Sequence, residues 1–172
     1  MARIPTLRPV SHTDEIVVQK KVPELLRVPC ERPVIGIALC NTLFALPTHY
    51  NGERTSICTG PEECKECGHR ALRVYYLLAL YDRNTAITAW FQLPDRAAHS
   101  LLEQLRQAEK ALYGSILQLS RERKTMKAPV RVALDVYSAV SGRLPKPMDP
   151  TETLERVFSE KKTTRKKATK AL

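Results

Sequence analysis

Three of the five cysteines in the chain lie within ten residues of one another, at Cys58, Cys64 and Cys67. His49 precedes them, which gives a His-x8-Cys-x5-Cys-x2-Cys spacing. The two thiolates of a Cys-x2-Cys turn can reach one ion, and a more distant histidine and cysteine complete the tetrahedral set of ligands that structural zinc prefers. The spacing therefore predicts one structural zinc ion per chain, bound by these four residues.

A second histidine leaves the fourth ligand open. His69 lies only two residues after Cys67, and ligands so close in sequence rarely reach the same ion without distortion. We therefore prefer His49, with His69 as the alternative.

A catalytic zinc site is the competing interpretation of the same residues. In zinc deaminases a His-x-Glu motif precedes Pro-Cys-x-x-Cys, and the glutamate moves the protons. Here Asn51 takes the place of that glutamate and Glu63 that of the proline. Four protein ligands would also leave no position for a reactive water. We therefore expect no enzymatic activity.

The charge of the chain favours a polyanionic partner. Its formal net charge is +10, and six of its lysines and arginines lie in the predicted disordered tail, residues 161–172. Contacts with phosphates release condensed counterions, so basic proteins gain affinity for nucleic acid without sequence preference. A solubilising tail is the alternative.

Cysteine usage and hydropathy indicate the compartment. The number of cysteines is odd and no signal peptide opens the chain, which argues against a secreted disulfide framework. No apolar run is long enough to cross a membrane. We expect a protein without membrane contact in a reducing compartment, either cytoplasmic, in a bacterial or phage-infected cell, or associated with the nucleoid.

Four regions follow from the distribution of proline, glycine and charge. Residues 1–32 form a proline-rich amino-terminal arm, since dense prolines prevent long helices and central strands. Residues 33–140 form the body, with the zinc knuckle at 47–70. Residues 141–160 hold a linker and a short helix, and the basic tail follows.

The body has the alternating pattern of a mainly β domain. Strands are predicted over 34–40, 72–81 and 86–93, followed by a helix that begins near Asp95 and by two more strands. Five strands with one helix between the third and fourth is the chain order of an OB-fold, a five-stranded barrel that often holds oligonucleotides. The knuckle is then an insertion between the first and second strands.

This combination resembles the zinc-containing OB-fold single-stranded-DNA-binding proteins of large phages. The resemblance covers roughly residues 33–137 and depends on the His49, Cys58, Cys64 and Cys67 set and the strands around it. It implies a structural role for the zinc and partners among replication or recombination proteins. Those phage proteins usually end in an acidic tail that recruits replication partners, whereas this chain ends in a basic one, so the resemblance does not extend to the tail.

Aromatic and basic side chains suggest where a nucleic acid would bind. Alternation places Arg73 and Tyr75 on one face of the second strand, and Trp90 on the polar face of the third, where rings could stack on bases. The alternative is that Trp90 packs beneath the arm or against the knuckle. The turn between the last two strands supplies possible phosphate contacts: Arg121, Arg123, Lys124, Lys127 and Arg131.

These observations together predict a protein that binds single-stranded nucleic acid with little sequence preference, DNA rather than RNA, in replication, recombination or repair. The rival hypothesis is a zinc-knuckle adaptor that binds another protein and has only nonspecific affinity for nucleic acid.

Overall fold

The computed structural model describes residues 23–50, 52, 55–140 and 143–158. The basic tail and residues 1–22 of the predicted arm lie outside these ranges. The described chain is mainly β, as predicted, with eight strands and two helices. Their bounds are β1 Glu24–Arg27, β2 Val34–Ala38, β3 Phe44–Tyr50, β4 Thr55–Ile57, β5 Leu72–Asp82, β6 Ile87–Pro94, α1 Asp95–Gln107, β7 Ile116–Arg121, β8 Val130–Leu134 and α2 over 151–158.

Strand β5 is the centre of the sheet because its length lets it pair with three neighbours. Its first half pairs with β3 and its second half with β2, while β6 runs antiparallel along its other edge. Across the sheet, neighbouring strands follow the order β1-β6-β5-β2-β7-β8. Strand β3 pairs with β5 outside this order, and β4 pairs with β3. Strand β1 is parallel to β6 and covers the edge that β6 would otherwise expose.

The predicted turn between β5 and β6 is present and is organised by the buried carboxylate of Asp82. This group accepts hydrogen bonds from the Asn84 backbone N–H at 2.9 Å and the Thr85 hydroxyl at 2.8 Å. The Arg32 guanidinium also donates to it at 3.3 Å. The hairpin therefore has a fixed register, which sets the alternation of side chains along β6.

Helix α1 lies between β6 and β7, as the sequence predicts, and buries Ala97, Ala98, Leu101 and Leu105. Its Gln104 side chain reaches the outer edge of β8. The amide nitrogen donates to the Val132 carbonyl at 2.9 Å, and the amide oxygen accepts from the Leu134 backbone N–H at 2.9 Å. The helix thus covers part of a strand edge that has no strand neighbour in the described sheet.

The predicted barrel is not confirmed. The described strands number eight instead of five, and they form an open mixed sheet with β1 and β8 at its ends. Residues 44–50, of which 47–50 were expected to belong to the knuckle insertion, form strand β3. Part of the arm also joins the sheet, as β1. Among the described residues, no helix combines the length and apolar character needed to span a bilayer.

Candidate metal centre and basic cleft

The four predicted zinc ligands lie together, and their ligand atoms are all within 4.8 Å of one another. The Cys67 sulfur is 3.4 Å from Nε2 of His49 and 3.4 Å from the Cys58 sulfur. A tetrahedral ion with bonds of 2.0 to 2.3 Å would separate its ligands by about 3.3 to 3.8 Å. The cluster could therefore hold a metal ion, and its three thiols and one imidazole are compatible with zinc.

Local backbone structure explains why residues so far apart in sequence meet. His49 lies on β3, where it pairs with Ser56 of β4. The Cys58 backbone N–H then donates to the Pro47 carbonyl at 2.9 Å, which keeps Cys58 beside β3. The Cys64 N–H donates to the Gly60 carbonyl at 2.8 Å, and Gly60 has a φ of +109°, which favours glycine.

Hydrogen bonds within the cluster shift the pKa values of its thiols in different directions. Without metal, a hydrogen bond with Cys58 and then burial raise the pKa of the Cys67 thiol to about 12. The pKa of the Cys64 thiol is lowered instead, chiefly by a backbone hydrogen bond with Glu66. A bound divalent cation would favour the thiolate form of the cysteines that contact it. The His49 side chain is 1% exposed and directs Nε2 at the thiols. His69 is exposed and lies outside the cluster, so the histidine that lies beside the three thiols is His49, the preferred of the two candidates.

A second feature is a cleft of about 910 Å³, to which β3 also contributes residues. We call it the basic cleft. It is lined by residues of β1, of the strands from β3 to β8, of the β7–β8 turn and of α2: Leu25, Arg27, Leu46, Thr48, Tyr50, Thr55, Arg73, Tyr75, Gln92, Pro94, Arg121, Met126, Lys127, Ala128, Pro129, Val130, Val157 and Phe158.

Strand register explains why these residues share one surface. Residues directly opposite each other in a ladder project to the same face of the sheet. Tyr75 pairs with Leu46 on one side and with Pro94 on the other, and Arg73 pairs with Thr48. His49 lies between Thr48 and Tyr50 on β3, so its side chain projects to the opposite face. The basic cleft and the metal-ligand cluster therefore use opposite faces of one strand.

The basic cleft has the composition of a polyanion site. Four cationic side chains line it, Arg27, Arg73, Arg121 and Lys127, and no carboxylate is among its described lining residues. Two tyrosines, Tyr50 and Tyr75, add ring faces. The Arg73 guanidinium carbon lies 5.7 Å from the centroid of the Tyr50 ring, a cation–π contact that orients both groups.

The structure places only some of the predicted nucleic-acid-binding residues in the basic cleft. Arg73, Tyr75, Arg121 and Lys127 line the basic cleft. Arg123, Lys124 and Arg131 are exposed on the β7–β8 hairpin but are not lining residues. The Arg131 guanidinium also pairs with the Glu122 carboxylate at 2.9 Å, which offsets its charge locally.

Arg121 has a more structural position than the sequence suggested. Its guanidinium donates to three backbone carbonyls: Val28 at 2.7 Å, Met126 at 2.8 Å and Ala128 at 2.8 Å. These bonds attach the β7–β8 turn to the segment after β1. Arg121 therefore fixes the wall of the basic cleft that carries Lys127, and this use of its donors leaves it less able to contact a phosphate.

The prediction that Trp90 forms an exposed stacking platform is wrong. Trp90 is 0% exposed and belongs to the core. Trp90 pairs with Ala79, which lies on the same face of β5 as Tyr75. The prediction that Trp90 and Tyr75 project to the same face of the sheet is therefore correct. That part of the face is covered, however, and the Phe44 ring packs edge-on against the indole with centroids 5.6 Å apart. Only the end near Gln92 and Pro94 remains open to the cleft.

The sequence interpretation missed several lining residues. Tyr50 alternates with Thr48 and Leu46, which would have identified it if residues 44–50 had been assigned to a strand. Arg27 lines the cleft from β1, a strand that was not predicted because prolines flank it. Val157 and Phe158 come from α2, which the Thr153 hydroxyl holds to the Pro23 carbonyl at 3.0 Å.

Comparisons with known proteins return no relative. A scan against family models, a search of curated proteins and a search of solved structures each give no match to this chain. The features of this chain that bear on its function are therefore the metal-ligand cluster and the basic cleft.

Proposed function

We propose that the protein binds single-stranded nucleic acid, DNA in preference to RNA, in the basic cleft, and that a structural zinc ion stabilises one wall of that cleft. The observation that carries the proposal is the convergence of four cations and two tyrosines on a concave surface without a carboxylate. Proteins that bind single strands without sequence preference combine these two elements, a positively charged groove and aromatic rings on which bases stack.

Each element has a distinct task. Arg27, Arg73 and Lys127 would contact phosphates, and each contact releases counterions. Tyr75 and Tyr50 would stack on bases, which is possible only when the bases are unpaired and turned toward the protein. An intact duplex hides its base faces, so stacking gives the preference for single strands.

The proposed zinc ion would act on structure and not on chemistry. Strand β4 has three residues and pairs only with β3 in the described sheet. A hairpin this short has little stability of its own. Ligands on β3 and on the loop after β4 would join its two strands through the ion, and so hold Tyr50 and Thr55 at the mouth of the basic cleft.

We also propose the remaining features that the sequence predicts, an OB-type domain and a basic tail that contacts phosphates. The connection from β5 and β6 through α1 to β7 and β8 keeps the order expected of an OB-type domain, and the basic tail would add phosphate contacts. We further propose a likeness to the large-phage proteins, a role in replication, recombination or repair, and no enzymatic activity.

A binding assay with labelled oligothymidine tests it against the adaptor hypothesis. We expect affinity that falls steeply with salt, that is weaker for a duplex of equal length, and that drops when Arg73 or Tyr75 is replaced by alanine. A protein adaptor would bind either oligonucleotide weakly, and these two substitutions would change little. That second result would refute the proposed function.

A further inference from the structure

Gln92 is a neutral side chain that is placed to form hydrogen bonds inside the basic cleft. It lies on β6, where it pairs with Leu77 of β5 and with Arg27 of β1. Its side chain is half-buried and lines the cleft between the strand that carries Tyr75 and the strand that carries Arg27. No hydrogen bond joins its amide to another described residue.

Several other polar groups of the cleft already have protein partners. The Thr48 hydroxyl donates to the Arg73 carbonyl at 3.0 Å, and the Tyr50 hydroxyl donates to the Gly52 carbonyl. The Arg121 guanidinium is taken up by three carbonyls. A half-buried amide that lacks a protein partner loses hydrogen bonds to water when a ligand covers it, unless the ligand replaces them.

We propose that Gln92 hydrogen-bonds the Watson–Crick edge of one base of the bound strand. This inference rests on the proposed function, because it requires a single strand in the basic cleft. A carboxamide presents one acceptor and two donors. Unpaired bases are commonly recognised through their edges in this way.

The chemistry of the amide explains why such a contact need not impose a strong sequence preference. Each base carries a donor and an acceptor side by side on its Watson–Crick edge. Rotation of the carboxamide by half a turn exchanges its own donor and acceptor, so that Gln92 can match all four bases. A carboxylate at the same position has acceptors only. It would match guanine, whose N1–H and N2–H₂ groups are adjacent donors, better than thymine.

Gln92→Glu tests the inference by changing the base preference. Affinity is measured for two oligonucleotides of equal length, oligothymidine and an alternating thymine–guanine repeat. We expect the wild-type protein to bind them similarly, and Gln92→Glu to favour the guanine-containing strand by at least about fivefold relative to wild type. Gln92→Leu, which removes the hydrogen bonds, should weaken both by about two- to tenfold.

Gln118→Glu is the matched control. Gln118 is exposed on β7 and is not a lining residue of the cleft. The same change of charge there should lower affinity for both strands equally. The base ratio is measured within one variant, so a modest loss of stability does not affect it. The inference is overturned if Gln92→Glu and Gln118→Glu give the same ratio, or if folded Gln92→Leu binds like wild type. Failure of the wild-type protein to bind either strand would instead refute the proposed function.

Discussion

Two lysines on one turn allow a sharp test of where the phosphates lie. Lys127 lines the basic cleft, whereas Lys124, three residues earlier on the same β7–β8 turn, is exposed outside it. Substitution of either by alanine removes one positive charge from the same loop. If phosphates bind in the cleft, Lys127→Ala should weaken binding and reduce its salt dependence, and Lys124→Ala should do neither to a comparable extent.

The expected magnitude follows from the number of cleft cations. Arg27, Arg73 and Lys127 remain for phosphates once Arg121 is assigned to the carbonyls that it contacts. On single strands each contact contributes about 0.7 to the slope of log affinity against log salt, so the cleft accounts for a slope of about 2 and Lys127 for about one third of it. A fourfold rise in salt should then shrink the wild-type advantage over Lys127→Ala by about 2.5-fold.

Fluorescence anisotropy of labelled oligothymidine at about 50 and 200 mM salt, the range over which such contacts change affinity most clearly, measures both quantities. Equal slopes for the two lysine variants would refute the assignment of the basic cleft, since charge on the turn would then act without regard to position. A reduced slope for Lys124→Ala alone would place the strand on the outer side of the hairpin.

Three further predictions concern the metal, the core and the tail. Purified protein should contain one zinc per chain, and metal analysis that finds well under one equivalent would contradict this. Cys64→Ser should lower both the melting temperature and the affinity for oligothymidine, because the β3–β4 hairpin loses the ion that joins its strands. An unchanged thermal transition would contradict this second expectation. Trp90→Ala should lower the free energy of unfolding by about 3 to 5 kcal/mol through lost burial and a cavity, as measured by denaturant titration; a folded, equally stable variant with weakened binding would restore the stacking interpretation. Truncation after Ser159 should flatten the salt slope by about 0.7 for each tail charge that contacts a phosphate, and an unchanged slope would show that the tail has another purpose.

The metal-ligand cluster was predictable because its information is local. Ligand types and spacing restrict which residues can surround an ion, and the turn-forming Gly60 lies where the chain must reverse. Strands β5 and β6 were predictable for the same reason, since the alternation of apolar and polar side chains and the turn after Asp82 both depend on residues that are adjacent in sequence.

The basic cleft was only partly predictable because it is assembled from distant segments. Alternation gave the correct face for Trp90, yet its burial depends on contacts such as the one with Phe44, which lies 46 residues earlier in the chain. Strand β3 contains Pro47 within an expected insertion, and β1 follows Pro23. Proline lowers strand propensity without forbidding a strand that has the right neighbours. Tyr50 and Arg27 were missed for that reason.

The amide of Gln104 has a consequence for how copies of the chain can associate. An open sheet has edges at which a strand from a second molecule can add, which leads to unwanted association. At β8 a side-chain amide imitates a neighbouring peptide group, since it both accepts from the Leu134 N–H and donates to the Val132 carbonyl. A second copy could pair with these backbone groups only after α1 moved away. If copies bind side by side along one nucleic-acid strand, as the proposed function allows, this contact would hinder pairing between their sheets at β8 even at high local concentration.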